Sequence, residues 1–169
     1  MPELKGTKTE KNLLEAFAGE SQANRRYLAF SRQAEKEGYH QVARLFRAAA
    51  EAETVHAQNH LRALAAVATT AENLKEAISG ETHEFKTMYP AMIDDAQEEG
   101  QKAAERSFKY ANEVEKEHAA LYQRALNDPD TLEAVDYFVC SVCGYVSEKE
   151  PPERCPVCNS KSTAFFKVA

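Results

Sequence analysis

Between residues 8 and 127, apolar and small residues return at the spacing of one helix face, as in Leu13, Phe17, Asn24 and Tyr27, and again in Phe46, Ala49 and Ala63. The same span is rich in Ala, Glu, Leu, Lys, Arg and Gln and poor in Gly and Pro, which is helical composition. The breaks divide it into four helices. Gly38 in EKEGY ends the first, VATTAEN separates the second from the third at Thr69–Thr70, Gly100 in QEEGQ ends the third, and NDPD (127–130) ends the fourth. Thr70, followed by Glu72 and Asn73, is predicted to cap the third helix. Pro90, inside that helix, is predicted to kink it.

The pattern is doubled. FRAAAEAETVHAQNHLRAL (46–64) and FKYANEVEKEHAALYQRAL (108–126) align at an offset of 62, sharing Phe46/Phe108, Glu53/Glu115 and His56/His118. AGES (18–21) matches SGET (79–82) at an offset of 61, and Glu37-Gly38 matches Glu99-Gly100 at 62. Helices one and two therefore resemble helices three and four, and two such pairs make a four-helix bundle with an approximate two-fold axis. From 131 the character changes to a short, turn-rich segment of β-formers around cysteines, with too little apolar material to fold without a staple. The reading is a mainly α chain: a bundle over 1–130 and a small metal-binding β domain over 131–169, joined through 127–136.

Charge and composition narrow the function. The net charge is −6, about −7 over residues 1–136 and about +1 after them, so no basic excess is available to neutralise phosphates, which argues against nucleic acid as a partner. The polar start MPELKGTKTEKN lacks the apolar run of a signal peptide, and no run of 18 apolar residues spans a membrane. The expected location is the cytoplasm, where paired C-x-x-C motifs indicate a metal site before disulfides.

Residues three apart share a helix face, so Glu53 points with His56, and Glu115 with His118. The doubling adds Glu20 and Glu81, each preceded by Gly. GETHEF supplies a further carboxylate, Glu84, one turn on from Glu81. Carboxylates on a face that also carries Phe46 and Ala49, or Phe108 and Ala111, cost several kcal/mol each to bury without a counter-charge. A pair of cations removes that cost, and mixed carboxylate and imidazole donors without thiolate suit iron or manganese and admit zinc. Five carboxylates against the four charges of a diferrous pair leave one in surplus. Glu84 and His56, which break the symmetry of the halves, are the natural pair to exchange between oxidation states. Tyr27, Tyr89, His60 and Tyr122 are read as packing groups or hydrogen-bond partners of the ligands. His40, His83, Glu51 and Glu113 are read as solvated. Cys140-x-x-Cys143 and Cys155-x-x-Cys158 form a strong signature for a tetrahedral four-thiolate site, structural zinc or redox-active iron. Gly144 and Asn159 follow the two pairs in equivalent places, where such knuckles turn through a left-handed residue.

Together AGES, EAETVH (51–56), GETHEFKTMYP (80–90), EVEKEH (113–118) and CSVCGY…CPVC (140–158) resemble the rubrerythrin family over nearly the whole chain. The resemblance implies a ferritin-like bundle and a rubredoxin-like domain. It implies a non-haem di-iron site with Glu53 and Glu115 bridging, Glu20 on one iron, His118 with Glu81 on the other, and Glu84 and His56 alternating on the first. It implies an Fe(Cys)4 iron at Cys140, Cys143, Cys155 and Cys158 that relays electrons to the di-iron site. The implied activity is a peroxidase reducing hydrogen peroxide to water for protection against oxidative stress. Its electron donor would be a rubredoxin or an NAD(P)H-dependent reductase. A dioxygen reductase or a ferroxidase/iron-storage protein would share most of these motifs. Asn159 stands where the family typically has Gly, and the gap between the cysteine pairs is of the family's short kind. Helix four runs about 17 Å from Glu115 to Leu126, so the cysteine module is expected to begin far from its own chain's ligands. A head-to-tail homodimer is expected on that ground, with exchange of helices between subunits left open.

Overall fold

The computed structural model describes residues 4–168, so the first three residues of the polar N-terminal stretch lie outside it. The elements in chain order are α1 (Lys8–Lys36), α2 (His40–Ala63), α3 (Thr70–His83), a π-helical turn (Glu84–Met88), α4 (Tyr89–Glu98), α5 (Lys102–Asn127), β1 (Tyr137–Cys140), β2 (Val146–Glu148) and β3 (Phe165–Lys167). One compact unit runs up to Ala68 and a second begins at Thr69.

In the first unit α1 and α2 form a helical hairpin. Gly38, at φ +82, turns the chain, and the Tyr39 amide reaches back to the Ala34 carbonyl at 2.9 Å. The helices meet on small residues: Ser31, Ala34, Ala43 and Ala50 are buried, with Ala43 and Ala50 two turns apart. Asn24 Nδ2 donates to the Ala50 carbonyl at 2.8 Å and to Thr54 Oγ1 at 3.0 Å, which the close approach allows. Tyr27, Phe30 and Phe46 cluster with their rings tilted or edge-on to one another.

The second unit repeats the plan. Gly100, at φ +69, makes the same turn, with the Gln101 amide on the Ala96 carbonyl at 2.8 Å. Tyr89 and Phe108 sit with ring centroids 6.3 Å apart and planes at 36°. Tyr27 and Phe46 sit at 6.2 Å and 36°, so the internal repeat is reproduced in three dimensions.

Two local expectations need adjustment. The cap of α3 is Thr69, not Thr70: its side chain accepts from the Glu72 amide while the Glu72 carboxylate accepts from the Thr69 amide, a complete capping box. Thr70 is then the first helical residue. Near Pro90 the helix widens into the π turn, where the Tyr89 amide bonds the Glu84 carbonyl five residues back. A π turn takes up one extra residue without ending the helix. That residue is why the repeat offset grows from 61 before it to 62 after it.

The C-terminal part is a three-stranded antiparallel sheet in the order β2-β1-β3, with Val139 paired to Val146 and to Phe166. It does not begin far from the ligands that α5 carries. Gly144 faces the buried Val114 of α5, where an added Cβ would stand 3.7 Å from Val114 Cγ1, and Arg124 bonds Glu148 at 2.7 Å. The expectation overlooked the reach of the linker. The nine residues between α5 and β1 can extend about 30 Å, more than the roughly 20 Å of helix between Val114 and Asn127. The chain therefore turns back along α5.

Candidate metal centres

In the first unit, helical spacing brings Glu53 and His56 together, with His56 Nδ1 2.9 Å from Glu53 Oε2, and α1 adds Glu20 with its Oε1 3.8 Å from the same nitrogen. Glu53 is the most buried of the three and His56 the most exposed. In the second unit α5 places His118 Nδ1 2.7 Å from Glu115 Oε2, and α3 adds Glu81. One ligand atom from each residue of a triad lies within 4.8 Å of the others. Glu84 stands outside both triads, at the start of the π turn, close enough to feel the charges of Glu115 and His118.

The second triad is electrostatically loaded. Burial, the Glu115 charge and a hydrogen bond to Glu115 push the Glu81 carboxyl up to about 7, and burial with the same charge raises Glu84. Burial raises the phenols of Tyr89 and Tyr122, and the charges of Glu81 and Glu115 add to it at both. Both tyrosines therefore stay protonated beside the carboxylates. His40 pairs with Glu35 on the surface and Glu113 with Lys116, and His83 and Glu51 are exposed, as solvated groups.

The four cysteines come together from two knuckles and are all free thiols. Cys140 Sγ lies 3.6 Å from Cys158 Sγ, and Cys143 Sγ 3.5 Å from Cys155 Sγ. Four sulfurs at about 2.3 Å from one tetrahedral ion would stand roughly 3.8 Å apart, so the cage is already near its loaded size. Burial raises the Cys143 thiol. Burial also pushes Cys158 up, but the hydroxyl and amide of Ser160 and the neighbouring thiols outweigh it and bring Cys158 down to about 7.

The donor sets fit bound cations on these observations. A carboxyl held up to about 7 among carboxylates is one whose proton a cation replaces. His118 Nε2 is buried with no hydrogen-bond partner among the described residues, leaving that ring nitrogen free of competing bonds. Sequence reasoning missed three features: the π turn, which the changed offset signalled; the return of the module onto Val114, which the linker length permits; and the Ser160 contact, for which no motif exists.

Fold and donor sets define a metal-binding class, with a ferritin-like helical part and a rubredoxin-like four-cysteine module. The rubrerythrin family model matches residues 11–126, and that of the rubrerythrin rubredoxin-like domain matches 138–166. The chain is 40% identical to the rubrerythrin of Porphyromonas gingivalis, covering 97% of this chain and 91% of the relative. It is 37% identical to rubrerythrin-2 of Clostridium acetobutylicum, covering 96% and 97%. A solved structure of nigerythrin in a mixed-valence state matches with a TM-score of 0.58 at 35% identity, covering 99% of this chain and 91% of that one. The chain belongs to the rubrerythrin family. Its cofactors are accordingly a non-haem di-iron pair, served by the glutamate and histidine groups, and one iron at the four cysteines.

Proposed function

We propose that this protein is a peroxidase that reduces hydrogen peroxide to water. The overall change takes up two electrons and two protons per peroxide and yields two water molecules. The di-iron pair, when bound, supplies the electrons that break the oxygen–oxygen bond. Glu20, Glu53, His56, Glu81, Glu115 and His118 would hold it, with Glu84 as the exchangeable ligand. The residues around it manage protons. Glu81, pushed up to about 7, and Glu84, also raised, hold protons on carboxyl oxygens beside Glu115, and Tyr89 and Tyr122 keep phenol protons in the same field. Once a metal occupies Glu81, the two phenols remain as proton carriers at the site, joined by Glu84 whenever His56 takes its place on the metal.

The observation that carries this reading is the pairing, on one chain, of carboxylate–imidazole triads with a four-thiolate cage. A storage protein has no use for the cage. Electrons would enter at Cys140–Cys158 from a rubredoxin or from an NAD(P)H-dependent reductase. The working form would be a homodimer in the cytoplasm, head to tail as the family resemblance implies, since distance within one chain no longer calls for it. Among the described residues no helix is long and apolar enough to cross a membrane. The domain limits 1–130 and 131–169 belong to the same proposal.

The test is steady-state consumption of hydrogen peroxide by the iron-loaded protein, supplied with a rubredoxin and its NAD(P)H-dependent reductase. One NAD(P)H should be oxidised per peroxide, and C158S should stop the turnover while the helical metal remains. Peroxide consumption unaffected by C158S would remove the cage from the reaction.

A further inference from the structure

The two cysteine knuckles are related by an internal two-fold in their backbone. The Gly144 amide bonds the Cys140 carbonyl at 2.9 Å, and the Asn159 amide bonds the Cys155 carbonyl at 2.9 Å. The Cys140 amide bonds the Tyr145 carbonyl at 2.9 Å, and the Cys155 amide bonds the Ser160 carbonyl at 2.8 Å. Gly144 and Asn159 both take positive φ, +89 and +61. The amides of Tyr145 and Ser160, two residues past the second cysteine of each pair, face Cys143 and Cys158. In these backbone bonds the two knuckles match.

A side chain breaks the equality. Ser160 Oγ lies 3.2 Å from Cys158 Sγ, within the range of a sulfur hydrogen bond. Its counterpart Tyr145 turns its ring toward Phe165 and carries its hydroxyl at the far end of the ring, so it offers no such short donor. In the free module the Cys158 thiol can donate to Ser160. A metal-bound thiolate has no proton to give, so the Ser160 hydroxyl becomes the donor. Arg154 is engaged elsewhere in this knuckle, with Nη1 3.2 Å from the Asn159 carbonyl.

A hydrogen bond to a ligating sulfur stabilises negative charge on it. The ferrous cage carries one more negative charge than the ferric cage, so the bond favours the reduced form. We propose that the Ser160 hydroxyl, by donating to Cys158, raises the reduction potential of the four-cysteine iron and makes the second knuckle its electron-rich side. The step is one electron in, from ferric to ferrous, with no bond broken and no proton transferred. This inference rests on iron as the occupant of the cage.

The experiment is a spectroelectrochemical titration of the iron-loaded full chain, comparing wild type, S160A, S160T and S160V, with S141A as a control hydroxyl on the other knuckle. In S160A the midpoint should fall, so that at the wild-type midpoint the reduced-to-oxidised ratio drops several-fold. The sulfur-to-iron charge-transfer band should move to longer wavelength. S160T should titrate near wild type and S160V with S160A. Should S160A fail to load iron, Thr against Val makes the same comparison at equal side-chain volume. Equal midpoints for S160T and S160V would overturn the proposal. A wild-type cage with no one-electron couple would instead remove the iron reading, and the proposal with it.

Discussion

Glu81 of α3 and Glu115 of α5 each bring a ligand atom within 4.8 Å of the other, and burial together with the Glu115 charge pushes the Glu81 carboxyl up to about 7, so that below that value it holds a proton. That proton makes metal binding and pH inseparable in the second triad. Below about 7 a ferrous ion must displace it, so affinity at this triad should rise by about tenfold per pH unit until the Glu81 carboxyl is ionised. Isothermal titration in two buffers of different ionisation enthalpy counts the released proton. E81Q should lose iron here and keep the iron of the cysteine cage.

The same proton sets the metal-free protein's stability. Glu81 is an acid whose folded pKa is raised from 4.5 to about 7. Its contribution is fully present below about 4.5 and is lost as pH rises through 7. Metal-free wild type should therefore lose thermal stability between those values, and metal-free E81Q should show a flatter profile.

Glu105 behaves in the opposite sense. Lys109, Gln97 and Lys102 hydrogen-bond its carboxylate and hold it down to about 2. Its contribution is present above the usual carboxylate range and is lost as pH falls toward 2. E105Q should lower the melting temperature at pH 7 and leave it unchanged near pH 2.

Val114 is almost fully buried where Gly144 meets α5. V114A should cost about 2 kcal/mol in denaturant unfolding. It should also speed amide exchange around Gly144 and Tyr145, because the module rests on that side chain. R124A should cost under about 1 kcal/mol, since the Arg124–Glu148 pair is partly exposed and screened by water.

Much of this was legible in the sequence because it depends on local rules. Gly38 and Gly100 ended helices since a left-handed turn needs them, and the Glu-x-x-His pairs met because three residues make nearly one turn. What escaped depends on competition or distance. Thr69 won the cap from Thr70 because Glu72 stands three residues after it and can return the hydrogen bond. The π turn lay hidden in a one-residue change of repeat offset, which no propensity scale registers. The position of the cysteine module depended on a linker whose reach, not composition, decides where it goes.

The most direct measurement is rapid mixing of the anaerobically reduced, iron-loaded protein with hydrogen peroxide or with dioxygen, following the visible absorbance of the oxidised four-cysteine iron. A peroxidase predicts reoxidation much faster with peroxide than with dioxygen. Reoxidation by dioxygen at an equal or greater rate would contradict it and make the protein an oxidase.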